Sequence, residues 1–114
     1  MKDCLFCKIV KKEIPADIVY ENENLLVFKD INPQAPVHVL AIPKRHIDSL
    51  NHVSTENQVL VGEIFSKIPE VAKKLEIDMT GYRVISNCGE DGLQTVPHLH
   101  FHILGKRKLR WPPG

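Results

Sequence analysis

The sequence predicts an α+β fold, in which a mainly antiparallel five-stranded sheet carries a short N-terminal helix and one long helix. Three observations predict it: short β-rich runs bounded by turn residues, one segment with helical apolar spacing, and a final run with two-residue alternation. The strands are grouped and do not alternate with helices, which favours α+β over α/β. The length of 114 residues is typical of one domain, so we expect a single domain over 1–114 with a C-terminal tail at about 105–114.

The first half of the chain predicts a short helix followed by three strands. Apolar spacing in residues 4–12 indicates one or two helical turns, which Pro15 ends. Residues 17–21 and 25–30 are β-rich runs joined by a short Asn-containing turn, which predicts a hairpin. Residues 36–42 predict a third strand. Its alternation places Val37, Val39 and Ala41 on one face and His38, Leu40 and Ile42 on the other.

The second half predicts one long helix and two more strands. Ser54 is a suitable N-cap, and apolar residues recur at helical spacing from Val61 to Leu75, so one face of this helix should be buried. Pro69 interrupts the pattern, and we expect it to kink the helix without breaking it. The predicted strands are 82–87 and 96–104, joined by a Gly-rich loop at 88–95.

Composition excludes several classes of protein. The net charge of +1 argues against a nucleic-acid partner, and the basic residues at 106–110 are expected to form a solvated tail. No apolar run reaches the roughly 18 residues of a transmembrane helix, so no membrane partner is expected. Three cysteines, an odd count, and an N-terminus without the features of a signal peptide predict a reducing, cytoplasmic location.

Three histidines near the C-terminus, His98, His100 and His102, alternate with apolar residues. Because side chains alternate along a strand, the three imidazoles should share one face while their apolar neighbours cover the core. Imidazole has a pKa near 6.5, so it can attack, donate or accept a proton at a phosphate near neutral pH. A metal site made of the three rings and a solvated polar face are the other interpretations.

Cys4 and Cys7 form a C-x-x-C pair, which indicates either a metal site or a redox pair. A redox pair of the thioredoxin type should follow a strand in a βαβ unit, so the position of this pair at the start of the chain favours a metal. Cys88 has no partner in the sequence and should be a small buried or half-buried apolar residue. We expect His52 to be a surface residue.

The histidine run and four other segments together resemble the histidine triad family. Pro97 begins P-H-L-H-F-H-I-L, which matches the family signature of three histidines separated by single hydrophobic residues. Residues 28–38, 42–46 and 81–87 and the closing W-P-P-G match in the same order. The similarity covers nearly the whole chain and favours the Hint branch of nucleotide-binding proteins over the Fhit-type dinucleoside polyphosphate hydrolases. It implies a HIT-like fold.

The resemblance implies a catalytic set arranged around one nucleophile. His100 matches the residue that forms a nucleotidyl-histidine intermediate, while His102 and His38 match residues of the phosphate site. Asn87 and Thr95 match polar residues that contact the phosphate or the leaving group. The family more often has serine at the position of Thr95, and threonine keeps the hydroxyl.

The resemblance also implies a nucleotide pocket. Asp30 matches the carboxylate that accepts both ribose hydroxyls, and a turn cap for Asn32 is the alternative that its spacing allows. Gln94 and Val96 match a loop whose backbone amide holds a phosphate oxygen. The residues that match the apolar slot for the purine, and that their residue types alone would place in a plain core, are Leu5, Phe6, Ile9, Phe28 and Ile31.

A zinc site and a homodimer are further implications of the resemblance. In bacterial members, and in the related galactose-1-phosphate uridylyltransferases, two cysteines and two histidines bind zinc, and the matching residues here are Cys4, Cys7, His46 and His98. Two thiolates and two imidazoles suit a closed structural site, and two free cysteines near an unrelated histidine are the alternative. In the implied dimer the two sheets join, the long helix packs at the interface, and the tail lies near the neighbouring active site.

The implied function is that of a purine nucleoside phosphoramidase, a hydrolase similar to adenosine 5'-phosphoramidase. It would cleave P–N or mixed-anhydride bonds of purine nucleoside monophosphate derivatives through a nucleotidyl-histidine intermediate. No organic cofactor is expected. Two other hypotheses stay open: a nucleotide-binding interaction module whose hydrolysis is incidental, and a metalloprotein that uses the three histidines as its metal site.

Overall fold

One five-stranded antiparallel sheet with strand order β1-β2-β3-β5-β4 forms the centre of the molecule. The structure is a computed structural model that describes residues 3–114. The sheet and its two α-helices confirm the predicted α+β class. The elements are α1 (Leu5–Val10), β1 (Ile18–Glu21), β2 (Leu25–Lys29), β3 (Val37–Pro43), a 3₁₀ helix (Leu50–His52), α2 (Gln58–Lys74), β4 (Tyr82–Ile85) and β5 (Phe101–Gly105).

The sheet separates two apolar cores, as the alternation in β3 predicts. Val39 and Ala41 face the larger core, which also contains the buried residues of α2. Leu40 and Ile42 face the smaller core, to which α1 contributes Phe6. The central strands are therefore covered on both faces, and α1 lies on the same side of the sheet as His38 and the even-numbered residues of β5.

Helix α1 is a six-residue helix whose first turn is built around the two N-terminal cysteines. Cys4 is its N-cap, and the Cys4 Sγ accepts a hydrogen bond from the backbone N–H of Cys7 at 3.3 Å. Phe6 and Ile9 form its buried side. The same short turn therefore places two thiols together at one end and apolar side chains over the sheet.

The last strand is shorter than the sequence predicts. Strand β5 begins at Phe101, so the predicted strand over 96–104 is wrong in its first five positions. Pro97 has no N–H for a ladder, and the next two amides bond elsewhere: His98 N–H to the Val96 carbonyl at 2.8 Å and Leu99 N–H to the Ile47 carbonyl at 2.6 Å. The predicted alternation of side chains nevertheless extends into this segment, as the burial of Leu99 in the larger core shows.

The long helix begins later than predicted and runs through its proline. Its N-cap is Asn57, and the predicted cap Ser54 instead begins the preceding turn, where its Oγ accepts the N–H of Glu56 at 3.2 Å. The Asn57 side chain accepts the N–H of Ser54 at 2.8 Å. Helix α2 continues past Pro69 to Lys74. Within residues 3–114 neither helix is long and apolar enough to cross a membrane.

Candidate functional site

A cavity of about 400 Å³ lies between α1, the ends of β2 and β5, and the loop before β5. One part of its wall is apolar, and the other carries the polar groups of the histidine face. Eleven of the predicted catalytic and nucleotide-binding residues line it: Leu5, Phe6, Ile9, Phe28, Asp30, Ile31, Asn87, Thr95, Val96, His100 and His102. The structure thus brings together residues that are up to 97 positions apart in the chain (Leu5 to His102).

The hydrogen bonds of His100 determine which of its nitrogens is free. Its Nδ1 lies 2.7 Å from the carbonyl oxygen of His98. A carbonyl only accepts, so Nδ1 carries the proton and donates it, and Nε2 of the neutral ring keeps a lone pair. The ring packs edge-on against Phe6, with 5.1 Å between centroids, which restricts its orientation. His100 therefore presents an unprotonated nitrogen in a ring that lines the cavity.

Burial keeps the rings of this face neutral. Desolvation lowers the pKa of His100, against the opposing effect of its hydrogen bond to the His98 carbonyl. Desolvation also lowers the pKa of His102 to about 4, with a further contribution from the neighbouring His100 and His38. A neutral imidazole is a nucleophile and an imidazolium is not, so this environment favours attack by His100 near neutral pH.

His38 and His102 form a relay that begins at the main chain. The N–H of Gln34 donates to His38 Nδ1 at 3.0 Å, so the proton of neutral His38 lies on Nε2. That nitrogen lies 2.9 Å from His102 Nδ1, which accepts. His102 consequently carries its own proton on Nε2. Each of these two rings has a defined tautomer, and His102, which lines the cavity, carries an N–H donor on Nε2.

Asp30 has two contacts that limit its freedom. Its Oδ1 accepts the N–H of Asn32 at 2.8 Å, which is the turn cap that its spacing suggests. Its Oδ2 lies 3.4 Å from His38 Nε2. The Asp30 carboxylate also lines the cavity beside the His38–His102 pair, so the same side chain caps the turn and forms part of the cavity wall.

The loop before β5 contributes unequally to the site. Asn87 and Thr95 line the cavity, and the Asn87 amide is held by a bond from its Nδ2 to the Gly92 carbonyl at 2.6 Å. Gln94 does not line this cavity. Its backbone N–H bonds to the Gly89 carbonyl at 3.0 Å, and its side chain bonds to the Asp48 carbonyl at 2.8 Å, so Gln94 ties the loop together. Val96, like Thr95, lines the cavity.

Cys4, Cys7, His46 and His98 meet at a second site next to the cavity. The ligand atoms of all four residues lie within 4.8 Å of one another. His98 Nδ1 is 3.2 Å from the Cys4 Sγ and 3.6 Å from the Cys7 Sγ, and His46 Nδ1 is 3.3 Å from the Cys7 Sγ. Tetrahedral zinc with bonds of ~2.3 Å to sulfur and ~2.0 Å to nitrogen separates such atoms by about 3.5 Å. The four side chains could therefore bind a metal ion.

The outer contacts of the two histidines also fit a metal. His98 Nε2 donates to the Pro43 carbonyl at 2.8 Å, and His46 Nε2 to the Asp48 carboxylate at 2.6 Å. Each bond leaves the lone pair on Nδ1, which is the atom that faces the thiols. Burial lowers the pKa of His98 to about 4, so this ring is neutral and ready to ligate. Burial and the hydrogen bond with Cys4 raise the pKa of Cys7 to about 11, so metal binding there displaces a proton.

Asp30, His38 and His102 also lie close enough to suggest a metal site. The tautomers argue against it. Because the Gln34 N–H occupies the lone pair on His38 Nδ1, the neutral ring has a proton on Nε2, the atom that would have to bind the ion. This group fits a hydrogen-bond relay better than a metal centre.

Several residues of the site were missed by sequence reasoning. Leu40 shares a strand face with His38, so the alternation of β3 could have found it. Asp48 lies two residues after His46, a spacing that offers a weak signal. The main-chain groups of Gln34 and Pro43 act through the backbone and have no sequence signal. The other missed residues of the cavity wall are Ile14, Pro15, Ala16, Lys29 and Leu93.

Comparisons with known proteins agree with this geometry. The family model that matches residues 3–110 is described as scavenger mRNA decapping enzyme C-term binding. Protein HitA of Neisseria gonorrhoeae is 50% identical over 105 residues, which are 92% of this chain and 97% of HitA. An uncharacterized HIT-like protein of Synechococcus elongatus is 48% identical over 113 residues, covering 99% of this chain and 98% of the relative.

Solved structures show the same similarity. A HIT family hydrolase from Legionella pneumophila superposes with a TM-score of 0.95 at 45% identity, covering 98% of this chain and 100% of the other. A histidine triad protein from Clostridium difficile superposes with a TM-score of 0.93 at 48% identity, covering 96% of each chain.

The fold, the alternating histidines and the cavity define an α+β protein of the hydrolase type, with histidines in the wall of the cavity. Its sequence similarity extends over nearly its full length at about half identity. The chain belongs to the histidine triad, or HIT, family.

Proposed function

We propose that the chain is a purine nucleoside phosphoramidase of the Hint branch, in which His100 is the nucleophile. The observation that carries the proposal is the bond between His100 Nδ1–H and the His98 carbonyl, which leaves Nε2 unprotonated. Burial lowers the pKa of this ring and so keeps the nitrogen nucleophilic near neutral pH. Relatives described as HIT family hydrolases support the same class of reaction.

The pocket supports a nucleoside monophosphate as the group that is transferred. The apolar wall formed by Phe6, Ile9 and Phe28 suits a flat heterocycle, and Asp30 beside it offers a carboxylate oxygen to the ribose. The donor on His102 Nε2 and the amide of Asn87 lie on the phosphate side of this wall. Ile31 is 99% exposed, so we place it at the rim, where it would be covered by the base.

The reaction proceeds in two displacements. In the first, the lone pair of His100 Nε2 attacks phosphorus, the P–N bond to the leaving group breaks, and the departing nitrogen gains a proton from the Thr95 hydroxyl or from water. In the second, water attacks the nucleotidyl-histidine, the bond from phosphorus to Nε2 breaks and returns the lone pair to His100, and the proton released by the water replaces the one that Thr95 or solvent gave up in the first step. The sum is a phosphoramidate plus water giving a nucleoside monophosphate plus an amine.

Trapping of the intermediate tests this mechanism. The chain is incubated with adenosine 5'-phosphoramidate, quenched at alkaline pH, and mapped by mass spectrometry for an acid-labile adenylyl group on His100. His100→Gln should abolish both the adduct and turnover, and His52→Gln, which changes an exposed histidine outside the cavity, is the matched control. Tight binding of adenosine monophosphate with no turnover of any phosphoramidate would instead favour the interaction module.

We also propose that Cys4, Cys7, His46 and His98 hold a structural zinc ion. The fit of their distances to tetrahedral coordination and the outer bonds of both histidines support it. Bound zinc would supply rigidity, tying α1 to the loop that carries His98. Metal analysis should find about one zinc per chain, lost in Cys4→Ser and kept in His100→Gln. The reverse pattern would support a metal bound by the three histidines of the triad.

A homodimer is the third part of the proposal. Strand β4 is at the edge of the sheet, so its outer hydrogen-bonding groups are available to a second sheet. Light scattering coupled to size exclusion should give twice the chain mass of 13.0 kDa. A monomer mass at micromolar concentration would contradict it.

A further inference from the structure

A second cavity lies against the proposed zinc site, and the proposed function places no ligand in it. Its volume is about 530 Å³, and its wall includes Cys4 and His46 together with Asp48. Among residues 3–114, neither Cys4 nor Cys7 lines the cavity that would hold the nucleotide. A small molecule in the second cavity would therefore meet Cys4 without passing through the nucleotide site.

The two thiols of the proposed zinc site are placed for a bond between them. Cys4 is the N-cap of α1, Cys7 follows one turn later, and the ligand atoms of the whole site lie within 4.8 Å of one another. Residues three apart on a helix have Cβ atoms roughly 5–6 Å apart, whereas a disulfide requires about 3.5–4.5 Å. Closing the bond therefore requires a shift on the order of 1 Å in the first turn of α1.

Bound zinc would make this pair of cysteines reactive toward oxidants. A thiol that coordinates a metal ion is deprotonated, and the thiolate is the form that attacks an oxidant. Once the two sulfurs are joined, they no longer carry the negative charge that zinc prefers in its sulfur ligands. His46 and His98 would then be the remaining members of the ligand set, and two imidazoles are too few for a structural site.

Phe6 connects the first turn of α1 to the proposed nucleophile. It lies between the two cysteines in the sequence, and its ring packs edge-on against His98 and His100, with 5.8 and 5.1 Å between centroids. A second connection runs through His98, whose Nδ1 is 3.2 Å from the Cys4 Sγ and whose carbonyl accepts the Nδ1 proton of His100. Because Phe6 also lines the nucleotide cavity, a shift of this turn should disturb both the pocket wall and the His100 ring.

We propose that Cys4 and Cys7 form a thiol switch, in which a hydroperoxide converts the metal-bound pair into a disulfide, releases the zinc and lowers the activity of the nucleotide site. The inference rests on the proposed function for its effect on catalysis and on the proposed zinc site for its metal. The metal site and the redox pair that a C-x-x-C can indicate are then two states of the same residues.

The oxidation uses one molecule of peroxide for each pair of cysteines. One thiolate attacks an oxygen of hydrogen peroxide, the O–O bond breaks, and hydroxide leaves while the sulfur becomes a sulfenic acid. The second thiolate attacks that sulfur, the S–S bond forms, and a second hydroxide leaves. The two sulfurs lose two electrons, the peroxide gains them, and both hydroxides take protons from solvent. A dithiol reductant reverses the change by exchange and restores two ligands for zinc.

The test follows three measurements while the zinc-loaded chain reacts with a small excess of hydrogen peroxide, which catalase then removes. A chromophoric chelator measures released zinc, mass spectrometry maps the disulfide between Cys4 and Cys7, and hydrolysis of adenosine 5'-phosphoramidate measures activity. We expect equal amounts of released zinc and disulfide, and a fall in kcat/KM of about 10–100-fold, since small displacements of reacting groups have effects of this size. Dithiothreitol with added zinc should restore all three.

Three variants separate the switch from other effects of peroxide. Cys88→Ser removes the third free cysteine and should leave the response unchanged. His100→Gln lacks the proposed nucleophile but should still release zinc and form the disulfide. Cys7→His keeps four donors but cannot form the disulfide, so its zinc, if it is loaded, should resist peroxide. If Cys7→His binds no zinc, the disulfide map of the unchanged chain decides.

Zinc retained with both thiols free would overturn the proposal. Oxidation past the disulfide to sulfinic acid, or a disulfide that leaves kcat/KM as it was, would overturn it as well. A chain that binds no zinc would also overturn it, whereas the proposed phosphoramidase would stand.

The switch can be judged even if the proposed function fails. If the chain cleaves no phosphoramidate, calorimetry with adenosine monophosphate replaces the rate measurement. Weaker binding of the nucleotide by the oxidised chain, restored by dithiothreitol and zinc, would support the switch. Equal affinities in the oxidised and reduced chains would overturn it.

Discussion

Five histidines divide into two adjoining groups that use imidazole in opposite ways. In the metal cluster, His46 and His98 direct their Nδ1 atoms at two thiols and anchor Nε2 on oxygen acceptors. In the catalytic group, His100 anchors Nδ1 on a carbonyl and leaves Nε2 free in a ring that lines an open cavity. The acceptor that each ring finds in the fold decides which of its two nitrogens keeps a lone pair, and so whether the ring suits a proposed ligand or a proposed nucleophile.

One residue connects the two groups. The side chain of His98 belongs to the metal cluster, while its main-chain carbonyl sets the tautomer of His100. If the proposed zinc ion is bound, its loss would disturb the position of His98 and, through the carbonyl of that residue, the orientation of the His100 ring. Variants of the two groups should therefore have different effects. A change in the group around His100 should lower the catalytic rate, whereas a change in the metal cluster should first lower the stability of the fold.

Removal of the nucleophile is the variant with the largest expected effect. His100→Gln should lower kcat by about 10⁴-fold or more, because no other ring offers an unprotonated nitrogen beside the cavity. Its melting temperature should change little compared with that of a cluster variant, since glutamine fills similar space. Single-turnover kinetics and thermal unfolding measure the two effects. Residual turnover within tenfold of the unchanged chain would show that His100 is not the nucleophile.

Removal of a thiol should give the reverse pattern. Cys7→Ser should release the metal and lower the melting temperature by about 10 °C or more, because structural zinc contributes on the order of 10 kcal/mol in small peptides. Treatment with a strong chelator should reproduce the loss in the unchanged chain but not in the variant. A melting temperature unaffected by either change would show that zinc does not stabilise the fold.

Removal of the carboxylate that accepts the hydrogen bond of His46 should have a smaller effect, which is a loss of metal affinity. Asp48→Asn keeps the size of the side chain but weakens the acceptor that orients His46. Loss of such a partner typically costs 10–100-fold in metal affinity. Competition with a chromophoric chelator measures it, and Asp17→Asn, at an exposed carboxylate directly before β1, is a matched control. Equal zinc affinity in both variants would show that Asp48 does not support the site.

The sequence predicted which residues share a face of the sheet, but it did not predict the hydrogen-bond acceptors of the histidines. Alternation alone placed Leu99, Phe101 and Ile103 in the core, because side-chain direction is a local property of an extended chain. The predicted beginning of the last strand was wrong, since Pro97 has no N–H and the N–H of Leu99 bonds to the Ile47 carbonyl and not to a neighbouring strand. The resemblance to the family predicted roles for the histidines, but their tautomers depend on main-chain groups distant in the sequence that no local pattern reveals.

The smallest expected effect is the pH dependence of stability that His102 contributes. Its pKa is lowered to about 4 in the fold by burial and by the neighbouring rings, against an ordinary value of 6.5 in the unfolded chain. At a pH between these two pKa values, His102 is protonated in the unfolded chain and neutral in the folded one. The free energy of unfolding must therefore fall as pH decreases from about 6.5 toward 4. Above that window the contribution is fully present.

His102→Gln should remove this part of the slope, by up to the equivalent of one proton, while leaving the acid sensitivity of the metal cluster in place. Urea unfolding of both chains at several pH values between about 4.5 and 7 measures the difference. Zinc released at each pH is followed in parallel, because protonation of the cluster also destabilises the fold. If the two slopes are the same, His102 is protonated equally in the folded and unfolded chains. The relay from Gln34 through His38 would then not keep His102 neutral.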